Sequence, residues 1–391
     1  MLSQPIDLRL RSKYKNSKVG LVLTGGGARA AYQVGVLHAI AEMLPDNAAN
    51  PFPVICGTSA GAINAASLAV AANQFKEGVR QLENVWENFH VNQVYRSDPA
   101  GVFSNGFRCL RSIFSRDYGL HRAISLLDNA PLESLLSDRI PFRMLQHCIR
   151  SGSLQALGIT AWGYSSSQSV TFYQAARQIV PWKRVQRVGV AAKIGVPHLL
   201  ASSAIPFFFP PIKLHREFFG DGSMRQLTPI SPALHLGAEK VLILGVHKVL
   251  DEFPERVSVD NYPSLAQIAG HAMNNIFVDS LDVDLERLQR INETLKLIPT
   301  DAHKDKKTAL RPVESMMISP SVEINEIAQH YAQSLPLTMR FLYRPIGAMN
   351  PNGSTLLSYV LFEAPFCKAL IQLGRHDAVQ LKDKLLEFIL G

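Results

Sequence analysis

Short apolar runs alternate with amphipathic stretches along the first quarter of the chain. The run KVGLVLT (Lys18–Thr24) ends at three glycines, which is typical of a buried strand that enters a tight loop. The next segment, ARAAYQVGVLHAIAEML, has apolar residues at helical spacing and stops before Pro45. A second apolar run, PFPVICG, precedes an alanine-rich stretch. This order predicts an α/β fold with three layers, in which helices cover both faces of a mainly parallel central sheet.

The remainder of the chain continues this alternation and then becomes mainly helical. NAPLESLLSDRIP predicts a helix capped by Asn129, LQALGITAWG and SVTFYQ predict adjacent strands, and REFFGDG and KVLILGV predict two more. After Pro263 the pattern is helical, apart from one strand in VESMMISPS and an exposed loop in TDAHKDKKTALRP. We therefore divide the chain into a basic tail (1–17), an α/β domain (18–250) and a mainly helical extension packed on it (251–391).

The stretch VICGTSAGAINAASLAVAAN (Val54–Asn73) allows three interpretations. The three interpretations are a buried helix that begins with a serine, a membrane span, and a strand–turn–helix that presents Ser59 as a nucleophile. A span requires roughly 20 mostly apolar residues, but prolines and glycines confine the helical run to Ala60–Ala72. About 13 residues at 1.5 Å each are near 20 Å long, too short to cross a bilayer. We expect a core helix here.

Composition and charge narrow the choice of partners. The 391 residues carry a formal net charge of +8, which permits an anionic partner such as a phospholipid surface or nucleic acid. Neither arginine-rich repeats with interleaved aromatics nor zinc-finger spacing occurs, so we do not expect nucleic acid binding. The four cysteines form no C-x-x-C pair, and the N-terminus lacks the apolar core of a signal peptide. These features predict a cytoplasmic location, with peripheral contact with an anionic membrane as a further expectation.

The segment Gly57–Gly61, GTSAG, matches the G-x-S-x-G pattern of a nucleophile elbow. A serine at a sharp bend between strand and helix has strained backbone geometry, which requires small neighbours such as Gly57 and Gly61. The helix that follows directs its positive N-terminal end toward the site. The alternative is that the glycines only allow the helix to pack close to the sheet, but this alternative leaves the second glycine cluster unexplained.

That second cluster is TGGGARA, Thr24 to Ala30. Consecutive glycines at a strand end leave amides free to converge on an anion. One use is an oxyanion hole for acyl transfer; the other is dinucleotide binding, because Gly25-x-Gly27-x-x-Ala30 satisfies G-x-G-x-x-[GA]. Dinucleotide binding requires an acidic residue at the end of the second strand, and the chain has Ser59 there. The oxyanion hole is therefore the preferred interpretation.

A nucleophilic serine requires a base, and Asp221 is the main candidate. It lies between two glycines at the end of a predicted strand, a context that is also common for a simple turn. The rival is a Ser-His-Asp triad. Its histidine would come from four candidates, none in a comparable strand-end context: His198, His215, His235 and His247.

Four blocks of the sequence together resemble the patatin-like phospholipases, a family of serine–aspartate acyl hydrolases. They are GGGARAAYQVGVL, GTSAGAINA, ASSAIPFFFPPI and DGSMRQLTPISPALHLGA, which occur in the family's order between Val19 and Val246. The C-terminal segment LLSYVLFEAPFCKALIQLGRHDA resembles the helical extension of longer bacterial members. The resemblance implies the patatin-like fold, with residues 18–250 as the catalytic domain.

The resemblance also implies roles for individual residues. Ser59 is the expected nucleophile and Asp221 the expected base. Arg29 is expected to position the glycine loop or to meet a phosphate, the alternative being a surface salt bridge. The chain departs from the family at Ala30, often glycine, and at Ser223, often glycine or alanine. Both residues are small and leave the expected donors and dyad in place, so we expect them to affect substrate fit more than activity. The oxyanion amides are expected from Gly25, Gly26, Gly27 and Ala28, with support from Gly57, Gly61 and Gly222.

The function expected from this resemblance is hydrolysis of fatty-acyl esters of phospholipids or lysophospholipids by ping-pong acyl transfer. This chemistry requires no metal and no organic cofactor. The alternative is a non-catalytic lipid- or nucleotide-binding protein that retains the glycine loops. Phe207, Phe208 and Phe209 are candidates for an acyl channel, although core packing is the commoner role of such a run. Head group, acyl length and oligomeric state are not determined by the sequence.

Overall fold

The computed structural model describes residues 18–98, 125–176, 179–249, 262–277, 279–297 and 310–391. The basic tail predicted over 1–17 and most of the loop predicted in TDAHKDKKTALRP lie outside the described residues.

Within the described residues, a mixed sheet of ten strands forms the centre of the fold. The strands are β1 (Val19–Leu23), β2 (Val54–Thr58), β3 (Ala156–Gly163), β4 (Ser169–Ala175), β5 (Trp182–Arg184), β6 (Arg187–Ala191), β7 (Ile212–Leu214), β8 (Glu217–Asp221), β9 (Lys240–Leu244) and β10 (Glu314–Ile318). Their order in the sheet is β10-β9-β1-β2-β3-β4-β6-β5, with β8 paired to β3 and β7 paired to β8. The strands from β10 to β3 run parallel, whereas β4 and β8 are antiparallel to β3.

Helices cover both faces of this sheet, so the three-layer α/β fold predicted from the sequence is confirmed. The first seven are α1 (Ala31–Met43), α2 (Ala60–Val70), α3 (Phe75–Glu87), α4 (Ala130–Arg139), α5 (Arg143–Arg150), α6 (Val196–Ser202) and α7 (Ser231–His235). The mainly helical C-terminal region adds α8 (Leu265–Phe277), α9 (Asp279–Leu297), α10 (Ile324–His330), α11 (Leu337–Tyr343), α12 (Ser354–Val360), α13 (Ala364–Gln380) and α14 (Lys382–Leu390).

The central strands are buried on both sides, which explains why their sequences are apolar throughout. Along β1, Leu21 and Leu23 join the core on one face of the sheet, whereas Val22 joins the core on the other. The two cores lie beneath different helices, since successive side chains of a strand point to opposite faces. The α/β layering thus follows from the alternation of side chains within each strand.

The C-terminal region is joined to the rest of the molecule through both the sheet and the helices. Its strand β10 pairs in parallel with β9, with Ser315 opposite Val241. Helix α13 packs closely along α1: the Tyr32 hydroxyl donates to Asp377 Oδ2 over 3.0 Å, and a Cβ on Gly35 would lie 2.0 Å from the carbonyl oxygen of Ile371. The predicted boundary near residue 250 stays a prediction.

The sequence correctly predicted Asn129 as the N-cap residue of α4, but a neighbouring residue makes the side-chain hydrogen bond at this end of the helix. Asn129 is the N-cap residue, but its side chain makes no capping hydrogen bond. The carboxylate of Asp128 instead accepts from the amide of Ala130 over 3.0 Å.

No single helix among the described residues is both long and apolar enough to cross a membrane. The consecutive helical segments Pro351–Val360 and Ala364–Gln380 meet the length and composition criteria only when taken together, and they are bent by 90° relative to each other. The alanine-rich helix α2 is a buried core helix, as predicted.

Candidate active site

Ser59 lies at a sharp turn between β2 and α2. Its backbone has φ 55° and ψ −130°, a conformation that is costly for a residue with a side chain. The turn is tightly packed, since a Cβ on Gly61 would lie 2.3 Å from the carbonyl oxygen of Leu23 and one on Gly57 would lie 2.3 Å from that of Gly61. The strand–turn–helix predicted from GTSAG is therefore present, and steric exclusion explains both glycines.

Sheet register brings Asp221 to this turn. Thr58, the last residue of β2, pairs with Thr160 of β3, and Asp221 pairs with Ala161, the next residue of β3. Because β8 runs antiparallel to β3, its last residue arrives at the same part of the sheet as the end of β2. The Ser59 hydroxyl donates to Asp221 Oδ2 over 2.6 Å, although 162 positions separate the two residues in the sequence.

Both side chains of this pair are buried, with Ser59 2% exposed and Asp221 fully buried. Burial raises the pKa of Asp221 to about 6, because a carboxylate loses hydration inside the protein. Hydrogen bonds from Ser59 and Ser223 act in the opposite direction, the Ser223 amide donating to Asp221 Oδ1 over 2.8 Å. The result is a carboxylate that holds a proton more strongly than an exposed aspartate does.

The glycine loop leads from β1 toward the same site. Gly27 has φ 55°, and a Cβ at this position would lie 2.2 Å from the carbonyl oxygen of Tyr359. The amides from Gly25 to Ala28 have no hydrogen-bond acceptor among the described residues. Unpaired amides of this kind are suited to an anion.

A cavity of about 450 Å³ opens beside Ser59 and Gly27. Its walls are mainly apolar and come from α2, α3 and α4. Such a cavity suits a ligand with a long apolar part and a reactive group at the serine.

A model of the patatin-like phospholipase family matches residues 21–234. The chain belongs to the patatin-like phospholipase family. Two further comparisons are more distant. Lysophospholipase nte1 of Aspergillus terreus (strain NIH 2624 / FGSC A1156) is 35% identical over 112 residues, an alignment that covers 27% of this chain and only 7% of the fungal protein. A crystal structure of VipD from Legionella pneumophila has a TM-score of 0.38 and 14% identity, with 94% of this chain and 67% of that chain covered.

Arg29, next to the glycine loop of this family member, is only 3% exposed, so it does not form the surface salt bridge considered above. Its guanidinium lies 3.9 Å from the ring centroid of Tyr359 and donates to Ser358 Oγ over 2.7 Å. It also donates to Asn325 Oδ1 over 2.6 Å and to Asn274 Oδ1 over 3.5 Å. Burial lowers the pKa of Arg29. Arg29 therefore connects the glycine loop to three helices of the C-terminal region.

Ser202 supports the turn at Ser59, a role that the sequence analysis missed. The Ser59 amide donates to Ser202 Oγ over 2.9 Å, and the Ser202 hydroxyl donates to the carbonyl oxygen of Thr160 over 2.6 Å. These bonds tie the serine turn to β3. The only sequence signal was the position of Ser202 within ASSAIPFFFPPI, a block recognised by resemblance alone.

Gly222 completes the aspartate side of the site, where a Cβ would lie 2.1 Å from the carbonyl oxygen of Thr160. A side chain at this position would push Asp221 away from β3.

Three of the four histidines considered for a triad hydrogen-bond elsewhere or stack on another ring, and the fourth is exposed. His247 pairs with Asp282 over 3.3 Å, His198 Nδ1 accepts from the Gly195 amide, and His235 stacks on Trp182. His215 is an exposed turn residue with φ 54°. Within the described chain, none of the four hydrogen-bonds to Ser59. The same part of the chain contains no group of three or more His, Cys, Asp or Glu residues arranged to hold a metal ion.

The run of three phenylalanines divides between the two roles considered for it. Phe209 is buried and lines the cavity, Phe208 is half-buried against the core, and Phe207 is 89% exposed. Only Phe209 is therefore available to contact a ligand in the cavity.

Proposed function

We propose that this protein hydrolyses fatty-acyl esters of phospholipids or lysophospholipids, with Ser59 as nucleophile and Asp221 as general base. The observation that carries the proposal is the 2.6 Å hydrogen bond from the Ser59 hydroxyl to Asp221 at the end of an apolar cavity. Membership of the patatin-like phospholipase family and the partial similarity to a fungal lysophospholipase support lipid esters as the substrate class.

Acylation begins when Ser59 Oγ attacks the ester carbonyl carbon and its proton passes to Asp221 Oδ2. The carbonyl oxygen gains negative charge, which the unpaired amides of the glycine loop stabilise; Gly26 and Gly27 are the strongest candidates. The tetrahedral intermediate then collapses, and the alcohol leaves with the proton from Asp221. The product is an acyl ester on Ser59.

Deacylation repeats these steps with water. Asp221 accepts a proton from water, the resulting hydroxide oxygen bonds to the acyl carbon, and Ser59 Oγ leaves and regains the proton. The fatty acid is released. The raised pKa of Asp221 suits this role, since a base is most effective when its pKa lies near the working pH.

A fluorophosphonate probe tests this assignment, because it forms a covalent bond with an activated serine. We expect labelling of the wild-type protein and none of Ser59→Ala, together with release of fatty acid from lysophosphatidylcholine by the wild type alone. Asp221→Asn is expected to lower the rate of labelling and of hydrolysis by about 10²–10⁴-fold, the usual contribution of a general base.

The alternative is a non-catalytic lipid- or nucleotide-binding protein. A folded wild-type protein that is not labelled and releases no fatty acid would support that alternative. Near-total loss of hydrolysis on replacing one of the four histidines, with a mild effect of Asp221→Asn, would instead support a triad.

Contact with an anionic membrane and a cytoplasmic location stay predictions from charge and composition. Sedimentation with vesicles of phosphatidylglycerol, compared with vesicles of phosphatidylcholine, tests the membrane contact.

A further inference from the structure

The cavity beside Ser59 follows one face of α2 away from the serine. The residues of α2 that line the cavity occur at helical spacing: Ala60, Ile63, Ser67 and Val70. Ala71, directly after the helix, also lines it. A helix rises 1.5 Å per residue, so the lined face from Ala60 to Ala71 is about 16 Å long. The cavity is therefore an elongated channel with the serine at one end.

Helix α3 forms a second wall and runs antiparallel to α2. Near its start, a Cβ on Gly78 would lie 2.5 Å from Cβ of Ala71, beyond the end of α2. Near its other end, Trp86 Nε1 donates to Asn64 Oδ1, in the second turn of α2, over 2.9 Å. The start of α3 therefore lies at the end of the channel remote from Ser59.

Apolar and polar residues both line the channel. Leu82 and Val85 of α3 and Leu132 and Leu136 of α4 are apolar, whereas Asn84, Asp138 and Arg139 are polar. Toward the remote end Gln74, Glu77 and Gln81 form a polar rim, and Gln81 Nε2 donates to Glu77 Oε1 over 3.0 Å. Gln74 and Gln81 are exposed, so this polar rim lies at the water boundary.

A polar group also lines the serine end. Ser203 is 8% exposed and lines the cavity, and its buried hydroxyl has no hydrogen-bond partner among the described residues. Its neighbour Ser202 accepts from the Ser59 amide. A buried hydroxyl without a partner is costly unless a ligand pairs with it. An ester oxygen beside Ser59 would satisfy it.

We propose that this channel binds a single unbranched acyl chain of about 14–18 carbon atoms, so that the preferred substrates are lysophospholipids and other esters with one such chain. The inference rests on the proposed function, in which Ser59 attacks the ester carbonyl at the channel's inner end.

The length of the channel and its volume each support an acyl chain of this size. An extended polypeptide backbone advances about 3.5 Å over the three bonds of one residue, or roughly 1.2 Å per bond. At the same advance per bond, an extended acyl chain of about 14 carbon atoms is about 16 Å long. A cavity of about 150 Å³ holds benzene, with six carbons. The channel's volume of about 450 Å³ therefore corresponds to about 18 carbon atoms in one chain.

A second long chain does not fit in this volume. The buried position of Ser59 and Asp221 requires the glycerol next to the reacting ester to approach the interior. In a diacyl lipid this would bring the second chain to the same buried site, where the first chain already fills the channel volume. Single-chain esters avoid this conflict.

The test measures kcat/KM for lysophosphatidylcholines with acyl chains of 8 to 20 carbons, each below its critical micelle concentration. Each methylene moved from water into an apolar site contributes at most about a fourfold increase in binding. We expect kcat/KM to rise up to about 14–18 carbons and then to level off, since longer chains emerge at the polar rim. We expect dipalmitoyl phosphatidylcholine to be hydrolysed at least tenfold more slowly than the 16-carbon lysolipid.

Ser67→Trp places a large side chain partway along the channel. Ser67 lies seven residues beyond Ala60, about 10 Å along the helix, which leaves room for about nine carbons. We expect this variant to lose at least tenfold in kcat/KM for the 16-carbon substrate and less than twofold for the 8-carbon substrate. Lys384→Trp, at an exposed position of α14 outside the cavity lining, is the control and should leave the length dependence unchanged.

An active wild type whose kcat/KM does not depend on chain length would overturn the proposed channel while leaving the proposed hydrolase intact. Equal losses at all chain lengths in Ser67→Trp, with fluorophosphonate labelling retained, would also overturn it, as would rapid hydrolysis of the diacyl lipid. If no ester is hydrolysed, the proposed function fails, and displacement of cis-parinaric acid by fatty acids of 8 to 20 carbons then tests the channel. The same dependence on length and on Ser67→Trp supports it, and equal displacement at every length overturns it.

Discussion

Replacing Asp221 with asparagine is expected to stabilise the folded protein at neutral pH while removing the proposed base. The side chain is fully buried, and burial raises its pKa from 3.8 to about 6. Asparagine has the same shape: its Oδ1 accepts from the Ser223 amide as before, and its amide nitrogen donates to Ser59 Oγ. The substitution therefore removes a buried charge and keeps a hydrogen bond between the two side chains, while the Ser59 hydroxyl hydrogen loses its acceptor.

The magnitude follows from the difference between the folded and unfolded pKa. One pKa unit corresponds to about 1.4 kcal/mol, so ionising Asp221 costs the folded state about 3 kcal/mol relative to the protonated form. Because the folded pKa is the higher one, the contribution of Asp221 to stability is fully present below about pH 4 and is lost as the pH rises through about 6. Asparagine does not titrate and keeps its contribution.

Urea unfolding at several pH values measures this effect. The unfolding free energy of Asp221→Asn minus that of the wild type is expected to increase by about 2 kcal/mol between pH 4.5 and pH 8. Asp383→Asn, an exposed aspartate on α14, is the control and should show no such trend. A constant difference across this pH range would refute the reasoning, and so would a wild type that gains stability relative to Asp221→Asn as the pH rises.

Three further outcomes are expected. The kcat/KM for ester hydrolysis should decrease tenfold per pH unit below about pH 6, because Asp221 must be ionised to accept a proton; a pH–rate profile that is flat down to pH 4.5 would contradict this. Gly27→Ala should lower kcat by about 10²–10³-fold, since its Cβ would collide with the Tyr359 carbonyl oxygen and displace the loop, whereas unchanged turnover would exclude the loop from catalysis. Ser202→Ala leaves the Ser59 amide unpaired and should lower the free energy of unfolding, measured by thermal unfolding, by about 1–3 kcal/mol. Ser202→Thr keeps the hydroxyl and is the control, which should lose less.

The C-terminal region contributes directly to the geometry of the candidate site. The carbonyl oxygen of Tyr359 occupies the space next to Gly27 that a side chain would need, and its ring lies against the guanidinium of Arg29. Ser358 and Asn325 hydrogen-bond to the same guanidinium. The position of the glycine loop therefore depends on helices that follow it by about 300 residues in the chain.

The sequence by itself determined the features that arise from local steric constraints. A serine with positive φ between a strand and a helix requires small neighbours, so GTSAG predicted the turn at Ser59 from five adjacent residues. Apolar runs that end at glycines predicted β1 and β2, because strands buried on both faces are apolar throughout. Asp221 was a candidate base from its position at the end of a predicted strand, a context that also fits a simple turn, and the resemblance to the patatin-like phospholipases favoured the role of base.

Only the tertiary structure decided which distant groups meet. The antiparallel pairing of β8 with β3 brings Asp221 to Ser59, and no local pattern in FFGDG specifies that pairing. The channel between α2, α3 and α4 arises from helix packing, which depends on shape complementarity between side chains far apart in the sequence. The shift in the pKa of Asp221 likewise arises from burial, a property of the assembled fold.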